Sequence, residues 1–591
     1  MRILLIICTF LITSIAFGQS EQLAKSYFKS GDFEKALLSY QKLYDANKGN
    51  SNYFIKIIQI HQQLEQLDVS EQLLIEKIAK SQNPQYMVEL GYNYQLKNQD
   101  DKAKEFYHNA KERIEEKPVF AYNVASTFEK HALIEHAAQV YERAMQLRPE
   151  SNYNLQLARI YGEQGKVEKM FASYINFVEF NTSYITYAKR AFSEYISENK
   201  DDDYNQMLRQ VLLKKIQSHP NILWNQMLSW LFVQQQDYGK AFAQEKAIHK
   251  RNQDLQGVSD LAYITLDEGE LETATEIFTY IIQNTFDIEV VLEAHKNLLE
   301  IETQVANHHD LNSIEKKYQA LFVQYGKQVQ TINLQLSFGH FIAFHLNDPL
   351  AASDFLKNAL ETRLPRFQEA KIKLKLGDIL VFQEKFNEAL IYYSQIQKTL
   401  KNSTLSQEAR FKVAKASYYK GDFKWAESQL KILKASTSQL IANDALDLKL
   451  LISDNKFEDS TQTALKIYAK ADLYAYQNKS NEAIDLLEKI LQNHKTETIV
   501  DQALLKQAQL FEKQKQFEKA AANYQRIIAD FKEDILADDA YYALAEIYVN
   551  HLAQPEKAKE LYEKIIFDHA DSIYFVEARK KYRALRGDAI N

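Results

Sequence analysis

The sequence contains little cysteine, glycine or proline, and each shortage restricts what the protein can be. Its single cysteine is Cys8, inside an apolar N-terminal run. The chain after that run therefore has no disulfide, no thiol nucleophile and no thiolate metal site. The 14 glycines and 7 prolines among 591 residues are far below the roughly 7% and 5% of average proteins. Few tight turns and many long helices are therefore predicted.

The N-terminal run has the features of a secretory signal peptide. Arg2 precedes an apolar stretch over residues 3–17, which is shorter than the roughly 20 residues of a membrane-spanning helix. The stretch ends in a small-x-small pattern at Gly18, so cleavage after residue 18 and a periplasmic mature chain are expected. An uncleaved membrane anchor is the alternative. Ile7 before Cys8 departs from a lipoprotein signal, so we expect no lipid anchor, and no later stretch is predicted to cross a membrane.

The charge balance argues against nucleic acid as a partner. Removal of Arg2 with the signal leaves 71 of the 72 Lys and Arg residues against 79 Asp and Glu residues, a net charge of −8. This mild negative charge does not fit a general binder of nucleic acid or of anionic membranes.

No residue pattern indicates a catalytic, cofactor or metal site. HExxH, Walker A and GxGxxG motifs are absent, and the dispersed glycines form no phosphate-binding loop. The run His308-His309-Asp310 is interpreted as a solvated loop, because adjacent side chains point apart and no second ligand pair follows at helical spacing. The run 201–203, three aspartates, is predicted to form a loop or a helix N-terminus, where negative charge is favoured.

A small residue recurs along the chain with a fixed set of neighbours. In the clearest copy it is Ala137, with Ala125 twelve residues before it, Tyr141 four residues after it, and Pro149 eight residues beyond that. The apolar steps of three and four predict two amphipathic helices joined by a short turn. The small marker residues are Ala36, Ala103, Ala137, Ala274, Ala352, Ala389, Ala426, Ala483, Ala520 and Ala558, with Ala241 a weaker case.

This pattern resembles the tetratricopeptide repeat (TPR) family. The resemblance implies an all-α, right-handed superhelical solenoid of stacked antiparallel helix pairs, in which each pair buries its apolar face against its neighbours. We expect an N-terminal repeat arm over 19–182, a degenerate helical middle over 183–335, and a C-terminal arm over 336–591 that ends in a capping helix. His340 stands where Ala352 should have its small partner, so a satisfied, partly buried histidine is predicted there.

The family geometry also implies which residues face the concave groove. A subgroup of the family clamps a C-terminal carboxylate with Lys and Asn four residues apart, and no corresponding pair of positions in this chain carries them. A groove of aromatic and mixed charged residues suits an extended peptide or a partner helix; the alternative is that each residue packs against a neighbouring helix. The candidate groove residues are Tyr92, Arg159, Trp230, Asp378, Lys415 and Asp472.

The sequence therefore predicts a non-enzymatic scaffold without cofactors. It would bind one or more proteins or peptides in the cell envelope, in biogenesis or secretion, and would meet the outer membrane only through its partners. One alternative is a cell-wall enzyme resembling lytic transglycosylases, with Glu427 of the Glu427-Ser428 pair as the catalytic acid, although the accompanying glycine-rich segment is absent. A second alternative is a glycan-binding surface built from the 36 tyrosines.

Overall fold

The computed structural model describes residues 21–588, apart from 82, 308, 434–437 and 457–461. The predicted signal peptide, with Cys8, and also His308 lie outside the described residues. Every regular element that the structure describes is a helix. The chain divides into two compact units, residues 1–253 (unit 1) and residues 254–591 (unit 2). The boundaries expected near 183 and 336 stay a prediction.

Unit 1 opens with a helix over 21–29 (α1). Its further helices are α2 (Phe33–Ala46), α3 (Ser51–Gln63), α4 (Leu67–Ser81), α5 (Pro84–Leu96), α6 (Asp100–Glu116), α7 (Ala121–Lys130), α8 (Ile134–Leu147), α9 (Asn154–Glu163), α10 (Val167–Phe180), α11 (Ile185–Ser193), α12 (Asp203–Ser218), α13 (Ile222–Gln234) and α14 (Tyr238–Asn252).

Unit 2 begins with α15 at Gln256 and its last helix ends at Arg586. Its helices are α15 (Gln256–Asp267), α16 (Leu271–Asn284), α17 (Ile288–Val305), α18 (Leu311–Tyr325), α19 (Ile332–Phe344), α20 (Pro349–Leu360), α21 (Arg366–Phe382), α22 (Phe386–Thr399), α23 (Thr404–Lys420), α24 (Phe423–Leu433), α25 (Gln439–Asn455), α26 (Thr463–Tyr476), α27 (Ser480–Asn493), α28 (Val500–Lys513), α29 (Phe517–Asp530), α30 (Ala537–Asn550), α31 (Pro555–Asp568) and α32 (Phe575–Arg586).

Within each unit, successive helices pack as antiparallel pairs. The helices of a pair, such as α5 with α6 or α28 with α29, are joined by short turns and lie along each other. The first helix of one pair also packs on the first helix of the next, as α21 does on α23. The predicted all-α solenoid of stacked helix pairs is therefore confirmed.

The small marker residues lie where the two helices of a pair approach most closely. Every marker is at most 3% exposed. Their small partners on the first helix are equally constrained: a Cβ at Gly91 would lie 2.5 Å from Tyr107, and one at Gly377 would lie 2.4 Å from Tyr393. Only glycine allows these tyrosine rings to lie against the first helix.

In several pairs a tyrosine four positions after the marker links the two helices through its hydroxyl. Tyr141 is buried, and its hydroxyl donates to Glu129, twelve residues earlier on the first helix, at 2.8 Å. Tyr107 donates in the same way to Gln95, and Tyr524 donates to Glu512. A ring that fills the gap between helices thus also satisfies its polar atom, as a buried tyrosine should.

Two expectations at the margins of the repeat have different outcomes. Asp202 caps α12 by accepting a hydrogen bond from the N–H of Tyr204 at 2.9 Å, as expected for the aspartate run. The prediction for His340 is correct in part: the side chain is partly buried, but its polar atoms are not all satisfied. Gly339 is the small partner that faces Leu356, so the spacing in this pair is one residue longer, and His340 turns toward a cavity with its buried Nδ1 lacking a hydrogen-bond partner.

Candidate functional site

The candidate groove residues all lie on the first helices of their pairs. Tyr92, Arg159 and Trp230 are on α5, α9 and α13 of unit 1, and Asp378, Lys415 and Asp472 are on α21, α23 and α26 of unit 2. The regular repeat explains this common position, because residues one repeat apart occupy the same face of equivalent helices.

In unit 1 each candidate also contacts a neighbouring helix. The ring of Tyr92 stacks on His131 with 3.7 Å between ring centroids. The Nη2 of Arg159 lies 3.8 Å from a carboxylate oxygen of Glu129. The ring of Trp230 packs beside the ring of Phe192, with 6.5 Å between the ring centroids. These three side chains are therefore partly engaged in packing within their own unit.

In unit 2 two of the candidates line one recess. Asp378 accepts hydrogen bonds from the Tyr393 hydroxyl at 2.7 Å and from Lys412 Nζ at 3.0 Å. Lys415 lies 5.8 Å above the ring centroid of Tyr419. Both Asp378 and Lys415 line the same small cavity of about 130 Å³.

Asp472, the third candidate of unit 2, lies beside this recess rather than in it. Its carboxylate pairs with Lys506 of α28, with 2.7 Å between Oδ1 and Nζ. The carboxylate also accepts a hydrogen bond from Tyr419 and thereby helps burial to raise the pKa of that phenol. Asp472 therefore supports the wall that Tyr419 forms.

A second cavity of about 570 Å³ shares Asp378, Lys412 and Tyr476 with the first. We call the two together the central basin. It crosses the first helices of consecutive pairs, α19, α21, α23 and α26. Its further lining residues are His340, Phe344, His345, Lys375, Val381, Tyr393, Phe411, Lys415, Ala416, Tyr419 and Asn478.

Contacts between α26 and α21 close one side of the central basin. The side-chain amide of Gln477 donates to the backbone carbonyl of Phe382 at 2.8 Å, and Lys470 pairs with Glu384 at 2.7 Å. These partners are more than 80 residues apart in the sequence. Sequence reasoning missed Tyr476 for this reason, since the helical spacing showed its face but not which distant helix it meets.

Burial makes the polar groups of the central basin unusual. It lowers the pKa of His340 to about 4, with nearby Lys375 contributing to the shift. Burial likewise lowers the pKa of the Lys375 ammonium. No described carboxylate lies within ion-pair distance of Lys375, whereas Lys412 is paired with Asp378. The basin therefore combines an imidazole that is neutral at neutral pH and aromatic rings with two lysine side chains, Lys375 and Lys415, that form no ion pair with a described carboxylate.

The residues considered for chemistry occupy ordinary structural positions. Glu427, the candidate acid, lies in a two-oxygen ion pair with Lys456 at 2.6 and 2.7 Å. Within the described ranges, no group of three or more His, Cys, Asp or Glu side chains could hold a metal ion. In the same part of the chain, no helix is both long and apolar enough to span a membrane.

The helix pairs nearest the C-terminus match a known family. Residues 502–534, which cover most of α28 and α29, and residues 539–572, which cover most of α30 and α31, each match the family model described as Tetratricopeptide repeat. Over these two helix pairs, an independent comparison thus confirms the TPR resemblance inferred from the spacing of small and aromatic residues.

Two solved structures are similar to the chain over most of its length. One is described as "Crystal structure of APC/C hetero-tetramer Cut9-Hcn1"; it has 11% identity, covers 96% of this chain and 96% of its own, and has a TM-score of 0.25. The other is "Structure of Naa15/Naa10 bound to HypK-THB", with 12% identity, coverage of 96% and 88%, and a TM-score of 0.33. No curated protein matches the sequence.

Proposed function

We propose that this protein is a non-enzymatic scaffold that binds a segment of a partner protein in the central basin of unit 2. One observation supports the proposal: residues from the first helices of four pairs, in a TPR-type solenoid, line a single recess. Its larger cavity, about 570 Å³, is within the range of roughly 300–1,000 Å³ that ligand pockets occupy. TPR-type solenoids act as protein-binding scaffolds because their stacked first helices offer an extended surface.

The chemistry of the central basin favours a peptide segment that carries a carboxylate. Lys375 has no described carboxylate partner, so an acidic side chain of the partner would supply the missing counter-charge. Phe344 and Tyr476 lie next to this position and offer apolar contact area for a neighbouring side chain. A segment with one acidic and one apolar residue would therefore fit both features.

Site-specific photocrosslinking tests this proposal. A photoreactive phenylalanine analogue at Tyr476 should capture a partner protein in envelope extracts, and mass spectrometry would identify it. The matched control is the same analogue at Ile391, which is 57% exposed on a second helix and outside the central basin. Adducts from Ile391 equal to those from Tyr476 would place the partner elsewhere on the solenoid.

A charge substitution completes the test. Lys375→Gln should reduce the crosslinked yield from Tyr476 several-fold, since the partner carboxylate would lose its counter-ion. Lys371→Gln on the same helix, whose ammonium lies over Phe367 and outside the basin, should not. A yield unaffected by Lys375→Gln would contradict the role of this ammonium.

We further propose that the scaffold acts in the periplasm of a Gram-negative bacterium, in envelope biogenesis or secretion. The sequence of residues 1–18 supports this location. Cell fractionation should recover the chain in the periplasm with Gln19 as its N-terminal residue, and deletion of residues 2–18 should leave it in the cytoplasm. Recovery of an intact N-terminus in the membrane fraction would instead support the anchor alternative.

A further inference from the structure

An additional helix, α25, forms one wall of a second large cavity in unit 2. The step from Ala426 to Ala483 is 57 residues, whereas the step from Ala389 to Ala426 is 37, and the extra length contains α25. The C-terminal end of this helix is held by the Thr498 hydroxyl, which donates to Asn455 Oδ1 at 2.7 Å.

The cavity, of about 680 Å³, lies between α25, the loop before α28 and the loop before α30. We call it the α25 cleft. None of its lining residues belongs to the central basin, so a ligand of the α25 cleft would bind independently of the function proposed for that basin.

Part of the wall of the α25 cleft is apolar and open to water. Leu450 and Leu451 contribute from α25, and Phe531 and Ile535 contribute from the loop before α30. Ile535 is 79% exposed and Leu450 is 38% exposed. Exposed apolar side chains grouped around a concavity are typical of a surface that is covered when a partner binds.

The rest of the wall is acidic. Four aspartates line the cavity, Asp447, Asp454, Asp501 and Asp534, and none forms an ion pair with a described residue. Lys495 is the cation among the described lining residues. Charges on opposing surfaces are commonly complementary in protein complexes, so this surplus of carboxylates favours a cationic occupant.

One of these four aspartates, Asp501, is largely shielded from water. Its side chain is only 8% exposed, and the hydrogen bond described for its carboxylate comes from the adjacent N–H of Gln502. Burial raises the pKa of Asp501 to about 6, and the charges of Asp534 and Asp454 add to the shift. A buried carboxylate without a cation is unfavourable, and a bound ammonium or guanidinium would relieve it.

We propose that the α25 cleft binds a segment of a partner protein in which lysine or arginine alternates with apolar residues. The bases would pair with the aspartates, and the apolar side chains would cover Leu450, Phe531 and Ile535. A metal ion is a poorer match, since no described cluster of three or more ligands could hold one.

Fluorescence anisotropy with defined peptides tests this inference on the full mature chain. The probe is a short capped peptide that alternates lysine with leucine. Two matched peptides carry glutamate in place of lysine or serine in place of leucine. We expect the lysine-leucine peptide to bind at least tenfold more tightly than either, because each matched peptide lacks one of the two kinds of contact.

A pair of double variants separates the cleft from general surface charge. Asp454→Asn with Asp534→Asn should weaken binding of the lysine-leucine peptide about tenfold, which is about 1.4 kcal/mol. Asp444→Asn with Asp485→Asn changes the net charge equally, at exposed positions of unit 2 outside the cleft, and should leave binding unchanged. Equal weakening in both double variants, or no binding to the unmodified chain, would overturn the proposal.

Sedimentation velocity distinguishes a second copy from a different partner. The capping helix α32 carries Arg579 and exposes Val576, which is 71% exposed, so it is itself a basic and apolar segment. We expect the unmodified chain and the Asp454→Asn, Asp534→Asn variant to sediment identically. Self-association that this double variant abolishes would show that the occupant is another copy of this chain, and would overturn the proposal of a different partner protein.

Discussion

The hydroxyl of Tyr476 donates a hydrogen bond to the backbone carbonyl of Asp378, 98 residues earlier in the chain, at 3.2 Å. This contact joins α26 to α21 although four helices, α22 to α25, separate them in sequence. Tyr476, Asp378 and Lys412 line the same two cavities, so the side chains of the central basin are held by a long-range contact as well as by local repeat packing.

Tyr476→Phe should therefore destabilise α26 locally, while the phenylalanine ring still fills the space that the tyrosine ring occupies. Loss of one such hydrogen bond is expected to reduce local stability by about 0.5–1.5 kcal/mol, because the ring can still pack against Phe344 and Phe382. Hydrogen exchange of the α26 amides measures the effect. Tyr474→Phe on the same helix, with no described hydrogen bond from its hydroxyl, is the control; equal protection in both variants would show that the contact contributes nothing.

Gly377→Ala should destabilise the α21–α22 pair by about 1–3 kcal/mol. The added Cβ would lie 2.4 Å from Cε1 of the Tyr393 ring, and that ring is fully packed. Urea unfolding measures the change. Gly239→Ala, where a Cβ would meet no atom within 4 Å, should be neutral or slightly stabilising because alanine favours helix. Similar losses at both positions would contradict the packing explanation.

His340→Gln should make the free energy of unfolding of unit 2 less dependent on pH between about pH 4 and pH 6.5. Burial holds the pKa of His340 near 4 in the folded chain, below the ordinary 6.5. The unfolded chain binds more protons in this window, so stability is complete above pH 6.5 and falls as the pH drops through it. Between pH 6.5 and pH 4 the variant should lose about 1–2 kcal/mol less stability than the unmodified chain. Tm measured against pH checks this, and parallel Tm curves for the two proteins would refute it.

Asp501→Asn should change the pH dependence of stability in the opposite direction to His340→Gln, because the pKa of Asp501 is raised and not lowered. The folded-state pKa of Asp501 is about 6 against an ordinary value of 3.8, so the folded chain binds more protons between these values. The contribution of Asp501 therefore becomes unfavourable as the pH rises from about 4 to 6, and it stays so at neutral pH. The variant should be about 1–2 kcal/mol more stable at pH 7.5 and unchanged at pH 4. Asp485→Asn, at an exposed position, should show neither effect.

Glu427→Gln tests the cell-wall enzyme alternative. In the structure Glu427 is the partner of Lys456, so the substitution should reduce stability by at most about 1 kcal/mol. We expect no release of soluble fragments from purified peptidoglycan by the unmodified chain or by the variant. Release by the unmodified chain that the variant loses would establish the enzyme and overturn the scaffold proposal.

The sequence was sufficient for the parts of the fold that repeat. Ala137 and Tyr141 define a local packing unit, and spacing alone locates such units wherever the same residues recur. The pattern failed where packing tolerates other residues, as at Gly339, where the small partner shifts by one position and His340 was assigned its role. No local signal marks the meeting of Tyr476 with Asp378, because it depends on the stacking of several intervening helices.

The candidate site was predictable only in part for the same reason. Asp378 and Lys415 were named because a repeat places equivalent positions on one face, and both line the central basin; their role in binding stays a prediction. Lys375, one helical turn before Asp378, was missed because its importance lies in lacking a counter-ion, which is a property of the folded surroundings. The α25 cleft was also missed, since the sequence showed an interruption of the repeat there but not the loops that α25 faces.

The tyrosine hydroxyl that joins the two helices of a pair is missing where leucine occupies the same position. Leu430 on α24 and Leu487 on α27 are such cases, and these helices come directly before and after the α25–α26 segment in the chain. Their pairs are held there by apolar contact, which resists sliding less than a directional hydrogen bond does. Under mechanical tension, pairs without this hydroxyl should therefore extend before the pairs that a tyrosine links, and because two such pairs lie on either side of α25 in the chain, pulling on the scaffold would change the shape of the cleft.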